Sequence, residues 1–189
     1  MIRHAGRAVP WGLVALGCTL VPALIAVAAW SMDERAAAVV DTLPRPLWWR
    51  TAARAAACVP LAVVWIACVA LAGDRLPDHR GLFVLQGVTA MVVAVAFVTW
   101  RRSRGSATPG ARIAPGAAAL VTMLALVRPA PEYLVLFPIW PWERWGLSAA
   151  IWSALLAGGA VLLAASLRAG SRPTPTGAVD FAGPRVSSG

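Results

Sequence analysis

The chain has 189 residues, of which 59% are hydrophobic and 13% charged, and its mean hydropathy is +0.70. So few polar side chains cannot coat an ordinary globular core, which disfavours a soluble enzyme domain. The 17 basic residues are all arginines; they stand against 8 acids for a formal net charge of +9, and they lie between apolar runs. This distribution is typical of a polytopic membrane protein. It disfavours nucleic acid as a partner, because a nucleic-acid binder presents its arginines on a water-soluble face, and we expect these to meet lipid headgroups.

The first apolar run follows a short basic segment, an arrangement that superficially resembles a secretory signal. The run covers Val9–Ser31, which is 23 residues. Because the apolar part of a signal peptide has only about 7 to 15 residues, we interpret this run as a retained first span.

Five apolar runs predict the fold class. A helix needs about 20 apolar residues to cross a hydrocarbon core of about 30 Å, and four runs meet or approach that length. The fifth has 15 residues and would span if Arg112 and Arg128 snorkel or the bilayer thins. We therefore predict an all-α polytopic bundle of about five transmembrane helices within residues 1–167, followed by a disordered cytoplasmic tail over 168–189. The predicted spans are 9–31, 55–73, 81–100, 113–127 and 146–167.

Prolines and small residues predict the local shape of these helices. Pro22 and Pro60 predict kinks in the first two spans. In the last span small residues recur, and small side chains let membrane helices approach closely, so we expect a helix contact there. These residues are Gly158, Gly159, Ala160 and Ala164.

The loop after the first span, Ser31–Arg54, contains the pattern of a short capped helix. Ser31 and Glu34 have capping-box spacing, which predicts a helix from about Met32, and Pro44 ends it. An apolar stripe at helical spacing is formed by Ala36, Val39, Val40 and Leu43. The acids Glu34 and Asp41 point to the opposite side. Such a helix either lies in the headgroup layer or docks a cytoplasmic partner, and composition alone leaves both interpretations open.

Tryptophans cluster at two places where the chain enters the membrane. Amphipathic rings favour the headgroup level, so we expect these side chains to anchor the helices at the interface. They are Trp48 and Trp49 beside Arg50 and Arg54, and Trp140, Trp142 and Trp145 in the proline-rich fourth loop. For the fourth loop, an aromatic-lined entry for an apolar cargo is the alternative.

The arginine count predicts the orientation of the bundle. With five spans, the first loop, third loop and tail share one side and hold four, four and three arginines, whereas the other side holds two in each of its three segments. Because the cytoplasmic side carries the excess of basic residues, we expect a multi-pass protein of the cell membrane with a cytoplasmic C-terminus.

No pattern in the sequence predicts catalysis. His4 and His79 are isolated, the three cysteines lack C-x-x-C spacing, and no phosphate-binding loop is present. All eight acids fall outside the predicted spans, which disfavours a proton- or ion-coupled carrier. We therefore expect no enzymatic activity, no cofactor and no metal.

The loop and its flanks also resemble a known family. The order Glu34–Arg35, Leu43–Pro44 and then Arg50 or Arg54 resembles the cytoplasmic loop in permease subunits of ABC-2-type exporters. The tryptophan-rich loop and the last helix that follows it at "RWGLSAAIW" are similar to those of actinobacterial members of this family. The chain differs from the family in having five rather than six predicted spans, and Ala36 where a glycine often follows the arginine.

The resemblance implies an integral membrane subunit of an ATP-driven exporter. It implies that a separate ABC ATPase contacts Ser31–Arg54, with Glu34, Arg35, Asp41, Leu43, Pro44 and Arg50 as docking residues. ATP would bind only to that partner, and a second membrane subunit, identical or related, would complete the pathway. The competing expectation is a polytopic accessory or scaffold protein without transport activity.

Overall fold

A computed structural model describes residues 11–33, 47–72, 80–106, 108–127, 135–138 and 144–169 of the chain. The described residues form six α-helices and no strand. The helices are α1 (Trp11–Ser31), α2 (Leu47–Ala55), α3 (Cys58–Ala72), α4 (Arg80–Ser103), α5 (Pro109–Val127) and α6 (Trp145–Ala169).

The predicted all-helical fold is confirmed. Four helical stretches are long and apolar enough to cross a membrane, namely Trp48–Ala72, Arg80–Ser103, Pro109–Val127 and Trp145–Ala169. Helix α1 has 21 residues, and Thr19–Ser31 within it is a further apolar stretch. These lengths and compositions are compatible with a multi-pass membrane protein, and the expected number of about five spans is close to what the structure contains.

The helix that contains the shortest predicted span extends beyond the apolar run 113–127. Helix α5 begins at Pro109 rather than at residue 113 and has 19 residues. At 1.5 Å per residue it is about 28 Å long, close to the thickness of a hydrocarbon core. Pro109 suits the first helical position because the N–H that proline lacks would have no partner within the helix. The helix therefore reaches span length by including Arg112 close to its N-terminus.

Helices α2 and α3 form one interrupted helix, and the interruption lies close to Pro60, where a kink is predicted. Because Pro60 has no N–H, it cannot donate to the carbonyl of Ala56. That carbonyl instead accepts from the N–H of Val59 at 3.1 Å, and the N–H of Ala57 donates to Arg54 at 2.9 Å. The break therefore lies at Ala56 and Ala57, one turn before the proline.

Helix α4 is the central element of the bundle. It contacts α1, α3, α5 and α6. In its apolar stretch 56% of residues are buried, against 17% in α5 and in α6 and 11% in Trp48–Ala72. Helices α3 and α6 therefore direct a narrow stripe toward α4, whereas α5 packs mainly on α1. All three leave their remaining apolar surface exposed, as expected for helices whose solvent is lipid.

Glycines allow the closest helix approaches. Gly159 of α6 lies against α4, where a Cβ atom would be 3.1 Å from Cγ2 of Val93. At Gly110 of α5, a Cβ atom would overlap the carbonyl oxygen of Ala29 in α1. The contact predicted from the small residues of the last span thus involves Gly159, whereas Gly158, Ala160 and Ala164 are exposed.

Most of the described arginines lie at one end of the bundle, where α1, α4 and α6 end and α3 and α5 begin. We call it the arginine-rich end. It holds Arg50, Arg54, Arg101, Arg102, Arg104, Arg112 and Arg168, whereas Arg80 and Arg144 lie at the opposite end. The side of the membrane that each end faces stays a prediction.

The two α5 glycines give a test of the α1–α5 contact. Gly110→Ala should lower the free energy of unfolding by about 1–3 kcal/mol, because its methyl group has no room beside Ala29. Gly116→Ala should instead raise it by up to about 1 kcal/mol, since no atom lies within 4 Å of the new Cβ and alanine is the better helix former. Thermal unfolding in detergent, followed by tryptophan fluorescence, measures both. Equal effects of the two changes would contradict this packing.

Candidate functional site

Of the predicted docking residues, only Arg50 is described. It lies in α2 and is partly buried. Glu34, Arg35, Asp41, Leu43 and Pro44 lie outside the described residues. The structure therefore describes the two ends of the predicted docking loop, at residues 31–33 and from residue 47 onward.

At the first of these ends, the Asp33 carboxylate binds the N-terminus of a distant helix. Oδ1 accepts the N–H of Gly110 at 2.8 Å, and Oδ2 accepts the N–H of Ala111 at 2.5 Å. These N–H groups are in the first turn of α5 and have no acceptor within their own helix. A negative charge at this position also interacts favourably with the helix dipole. Asp33 therefore caps a helix that follows it by more than 70 residues.

An arginine of α4 binds the residue beside Asp33. Nη1 of Arg102 donates to the carbonyl oxygen of Met32 at 3.0 Å, so the carbonyl that directly follows α1 is satisfied by a cation. Arg54, at the end of α2, is near enough to interact electrostatically with both Arg102 and Asp33. We call Met32, Asp33, Arg54 and Arg102, with the first turn of α5, the Asp33 junction. It joins the ends of α1, α2, α4 and α5.

The structure corrects the predicted capping box at Ser31. Ser31 is the last residue of α1, and its hydroxyl group donates to the carbonyl of Ala28 at 2.9 Å. Met32 is in a turn and Asp33 is non-helical, so no helix starts at Met32. The predicted start at Met32 was wrong because the Ser31 hydroxyl closes α1 instead of opening a new helix. Glu34, the other residue of the predicted capping box, lies outside the described residues.

A second polar cluster lies toward the opposite end of the bundle. The carbonyl oxygen of Leu136 accepts hydrogen bonds from Trp152 Nε1 at 2.8 Å, Ser148 Oγ at 3.0 Å and Gln86 Nε2 at 3.2 Å. All three donor side chains are buried. We call these four residues the Leu136 cluster. The ring of the adjacent Phe137 is buried and lies 5.8 Å from that of Trp152. Residues 135–138 of the tryptophan-rich loop therefore pack against α4 and α6.

Gln86 is the residue that sequence reasoning missed. It is the only residue with a carboxamide side chain in the chain, and it stands inside an apolar helix of 24 residues. That isolation was a usable signal, because polar side chains in membrane helices normally hydrogen-bond across the bundle. Gln86 is 1% exposed, and its Oε1 atom has no hydrogen-bond partner among the described residues. A carbonyl oxygen has two lone pairs, so Leu136 binds three donors unequally.

The predicted interface anchors have different surroundings. Trp48 and Trp49 stack edge to face at 5.6 Å, and each is about half exposed, at 49% and 48%. Trp145, the first residue of α6, is partly buried, and its ring lies 6.5 Å from that of Phe83. Trp140 and Trp142 lie outside the described residues. Anchoring at the interface stays a prediction for all five.

Known proteins do not identify the chain. Comparisons with protein-family models, curated proteins and solved structures found no match. Within the described residues, no group of three or more His, Cys, Asp and Glu side chains could hold a metal ion. The resemblance to ABC-2-type permeases therefore stays a prediction, and the two polar clusters are the features from which a function can be argued.

Replacing Asp33 tests its role as a remote cap. Asp33→Ala should lower the free energy of unfolding by about 0.5–2 kcal/mol, because two N–H groups of α5 lose their acceptor. Asp33→Asn keeps one side-chain oxygen and should cost less. Unfolding in detergent measures both changes, and Asp74→Ala, between α3 and α4, is the control. A midpoint for Asp33→Ala equal to that of the wild type would contradict the capping role.

The Leu136 cluster predicts opposite effects for two of its donors. Trp152→Phe should lower the free energy of unfolding by about 1–3 kcal/mol, because it removes the shortest bond and leaves a gap. Gln86→Met should leave this free energy unchanged or raise it, since it removes the buried Oε1 while Leu136 keeps two donors. The same unfolding assay decides. A larger loss for Gln86→Met than for Trp152→Phe would refute this ranking.

Proposed function

We propose that the chain is the membrane-embedded, permease-like subunit of an ATP-driven exporter of the ABC-2 type. The observation that carries the proposal is the Asp33 junction. The predicted docking segment, Ser31–Arg54, contains Asp33 and ends within α2, and at the junction the chain is bonded to α4 and α5. A partner that moves this segment would act on several helices at once.

The path of such a movement follows from the contacts. At the start of the segment, a displacement of residue 34 would move Asp33 and therefore the N-terminus of α5. It would also move Met32, which is bonded to Arg102 of α4. On the other side, a pull on residue 46 acts on α2 and then on α3. Helix α6 would follow because it packs along α4. Short charge-assisted bonds suit this role, because they hold geometry better than flexible apolar contacts.

The proposal includes the location and the partners of the chain. The arginine-rich end would face the cytoplasm of a cell-membrane protein, with the C-terminus on the same side. The ATPase would approach this end, and ATP would bind to the ATPase alone. The outer face of α3 exposes Val59, Val63, Val64, Ile66 and Leu71, and it is available to lipid or to a second membrane subunit.

A scaffold or accessory role is the second candidate. The Leu136 cluster favours it, because a loop bonded to α4 and α6 at one carbonyl holds that end of the bundle closed. A rigid bundle suits a protein that holds partners. The two candidates differ in whether the chain changes the activity of an ATPase.

Affinity purification tests the docking half of the proposal. A C-terminally tagged chain is extracted from its native membrane in mild detergent, and stoichiometric partners are identified by mass spectrometry. We expect a nucleotide-binding subunit. Its yield should fall several-fold in Glu34→Ala, Arg35→Ala and Asp41→Ala, because a docking surface loses affinity when its charged groups are removed. Asp74→Ala and Arg75→Ala, in the segment between α3 and α4, should leave the yield unchanged. Unchanged yields in all three docking variants would refute the docking helix.

A second assay tests coupling separately from docking. Asp33→Asn should keep the yield of the ATPase partner but reduce the stimulation of its ATP hydrolysis several-fold in proteoliposomes, because the connection to α5 is weakened. Full stimulation with Asp33→Asn would contradict the path through the junction. A bound partner that the wild-type chain does not stimulate would favour the scaffold role.

A further inference from the structure

Helix α4 is enclosed along most of its length but opens near its C-terminal end. Between Leu82 and Trp100 only Phe97 is exposed, and Arg101 follows one turn later. Arg104 lies just beyond the helix and follows Phe97 by seven residues, about two helical turns, so it continues the same face. Trp100, between them, is partly exposed. We call Phe97, Trp100, Arg101 and Arg104 the α4 column.

Three members of the column, Phe97, Trp100 and Arg104, contact one another. The rings of Phe97 and Trp100 lie 5.3 Å apart, and the guanidinium carbon of Arg104 lies 4.3 Å from the centroid of the Trp100 ring. A cation over an indole face is attracted by the ring quadrupole, so Arg104 is ordered while its N–H edges stay available to an anion.

The backbone also fixes the position of the two arginines. The N–H of Gly105 donates to Arg102 at 2.9 Å, and that of Ser106 donates to Arg101 at 3.2 Å. With a φ of 85° at Gly105, these bonds form the Schellman motif that ends α4. A side chain there would strain the turn, so the glycine sets the direction in which the chain leaves Arg104.

The charge of the column is carried by two exposed arginines. Arg101 and Arg104 are exposed, and neither forms an ion pair with an acid among the described residues. Two exposed guanidinium groups three residues apart in the sequence favour an anion that offers several oxygens, and a phosphate matches the planar donor geometry of each. Toward the middle of α4 the column continues as the exposed aromatic ring of Phe97.

We propose that the α4 column is a binding site for an anionic phospholipid. The phosphate would bind Arg101 and Arg104 at the headgroup level, and an acyl chain would lie against Phe97 and Trp100. The column places its anion-binding groups about a helical turn from its apolar rings, which is the order of groups in a lipid that stands beside a span. The proposal does not depend on transport.

Lipid binding to the purified chain in uncharged detergent tests the site. The probes are phosphatidylglycerol, phosphatidylcholine and soluble glycerol phosphate, and the readouts are lipid retention in native mass spectrometry and thermal stabilisation. We expect phosphatidylglycerol to bind and stabilise the chain more strongly than either other probe. Equal effects of phosphatidylcholine and phosphatidylglycerol would refute the selectivity for negative charge. Equal effects of glycerol phosphate and phosphatidylglycerol would refute the proposal that the ligand is a lipid.

Two double variants distinguish binding at the α4 column from binding to the general positive charge of the arginine-rich end. Arg101→Gln with Arg104→Gln should weaken phosphatidylglycerol binding by about tenfold or more, since a hydrogen bond to a charged group contributes roughly one such factor. Arg112→Gln with Arg168→Gln removes two exposed charges from the same end and should leave binding within about twofold. Equal losses in the two double variants would overturn the site.

A conservative pair keeps the test valid if the glutamine variant does not fold. Arg101→Lys with Arg104→Lys retains both charges at the end of α4, where they favour the helix dipole, but loses the planar donors and weakens the stacking on Trp100. We expect a monodisperse protein with several-fold weaker binding of phosphatidylglycerol. Binding as tight as in the wild type would show that the column acts only as diffuse charge and would overturn the proposal.

Discussion

The hydrogen-bonding requirement of helix ends governs this bundle. Each helix leaves N–H groups at its start and carbonyl groups at its end without partners in the helix, and in an apolar environment such groups must be satisfied inside the protein. The carboxylate of Asp33 does this for α5, and the guanidinium of Arg102 does it for α1. Both bonds join different helices, so they also set which helix ends meet. The close approach of Gly110 to Ala29 then brings α1 and α5 together immediately beside these bonds.

At both ends of the bundle, backbone groups outside the regular helix bonds find hydrogen-bond partners, but the chemistry of these partners differs. At the arginine-rich end, an anionic acceptor binds backbone donors, and the surrounding cations balance its charge. Toward the other end, the uncharged carbonyl of Leu136 binds three side-chain donors, all of them uncharged. A junction built on charges responds to a charged partner, whereas a cluster of neutral groups responds mainly to changes in packing. This difference is the physical reason for proposing a docking role at the first end and not at the second.

The sequence predicted the fold more completely than the contacts between elements. Run length and composition were enough for the all-helical class, because the thickness of a bilayer sets the length of a span. The predicted start of α5 lies four residues after the observed start, because the apolar run begins only after Arg112. A helix can include an exposed arginine in its first turns. The role of Asp33 was not visible, because local spacing shows nothing of a partner that lies more than 70 residues away. Gln86 could have been found, since its type is unique in the chain.

The Leu136 cluster has a consequence for how its residues tolerate substitution over evolutionary time. Its acceptor is a backbone oxygen, which every amino acid supplies, whereas its donors are particular side-chain groups. Residue 136 can therefore change as long as its new side chain fits, while positions 148 and 152 each need a group that carries a hydrogen-bond donor. Position 86 can lose its donor, because Leu136 keeps the other two. Among divergent versions of this chain, residue 136 at the centre of the cluster would vary while the donors at positions 148 and 152 stay constant.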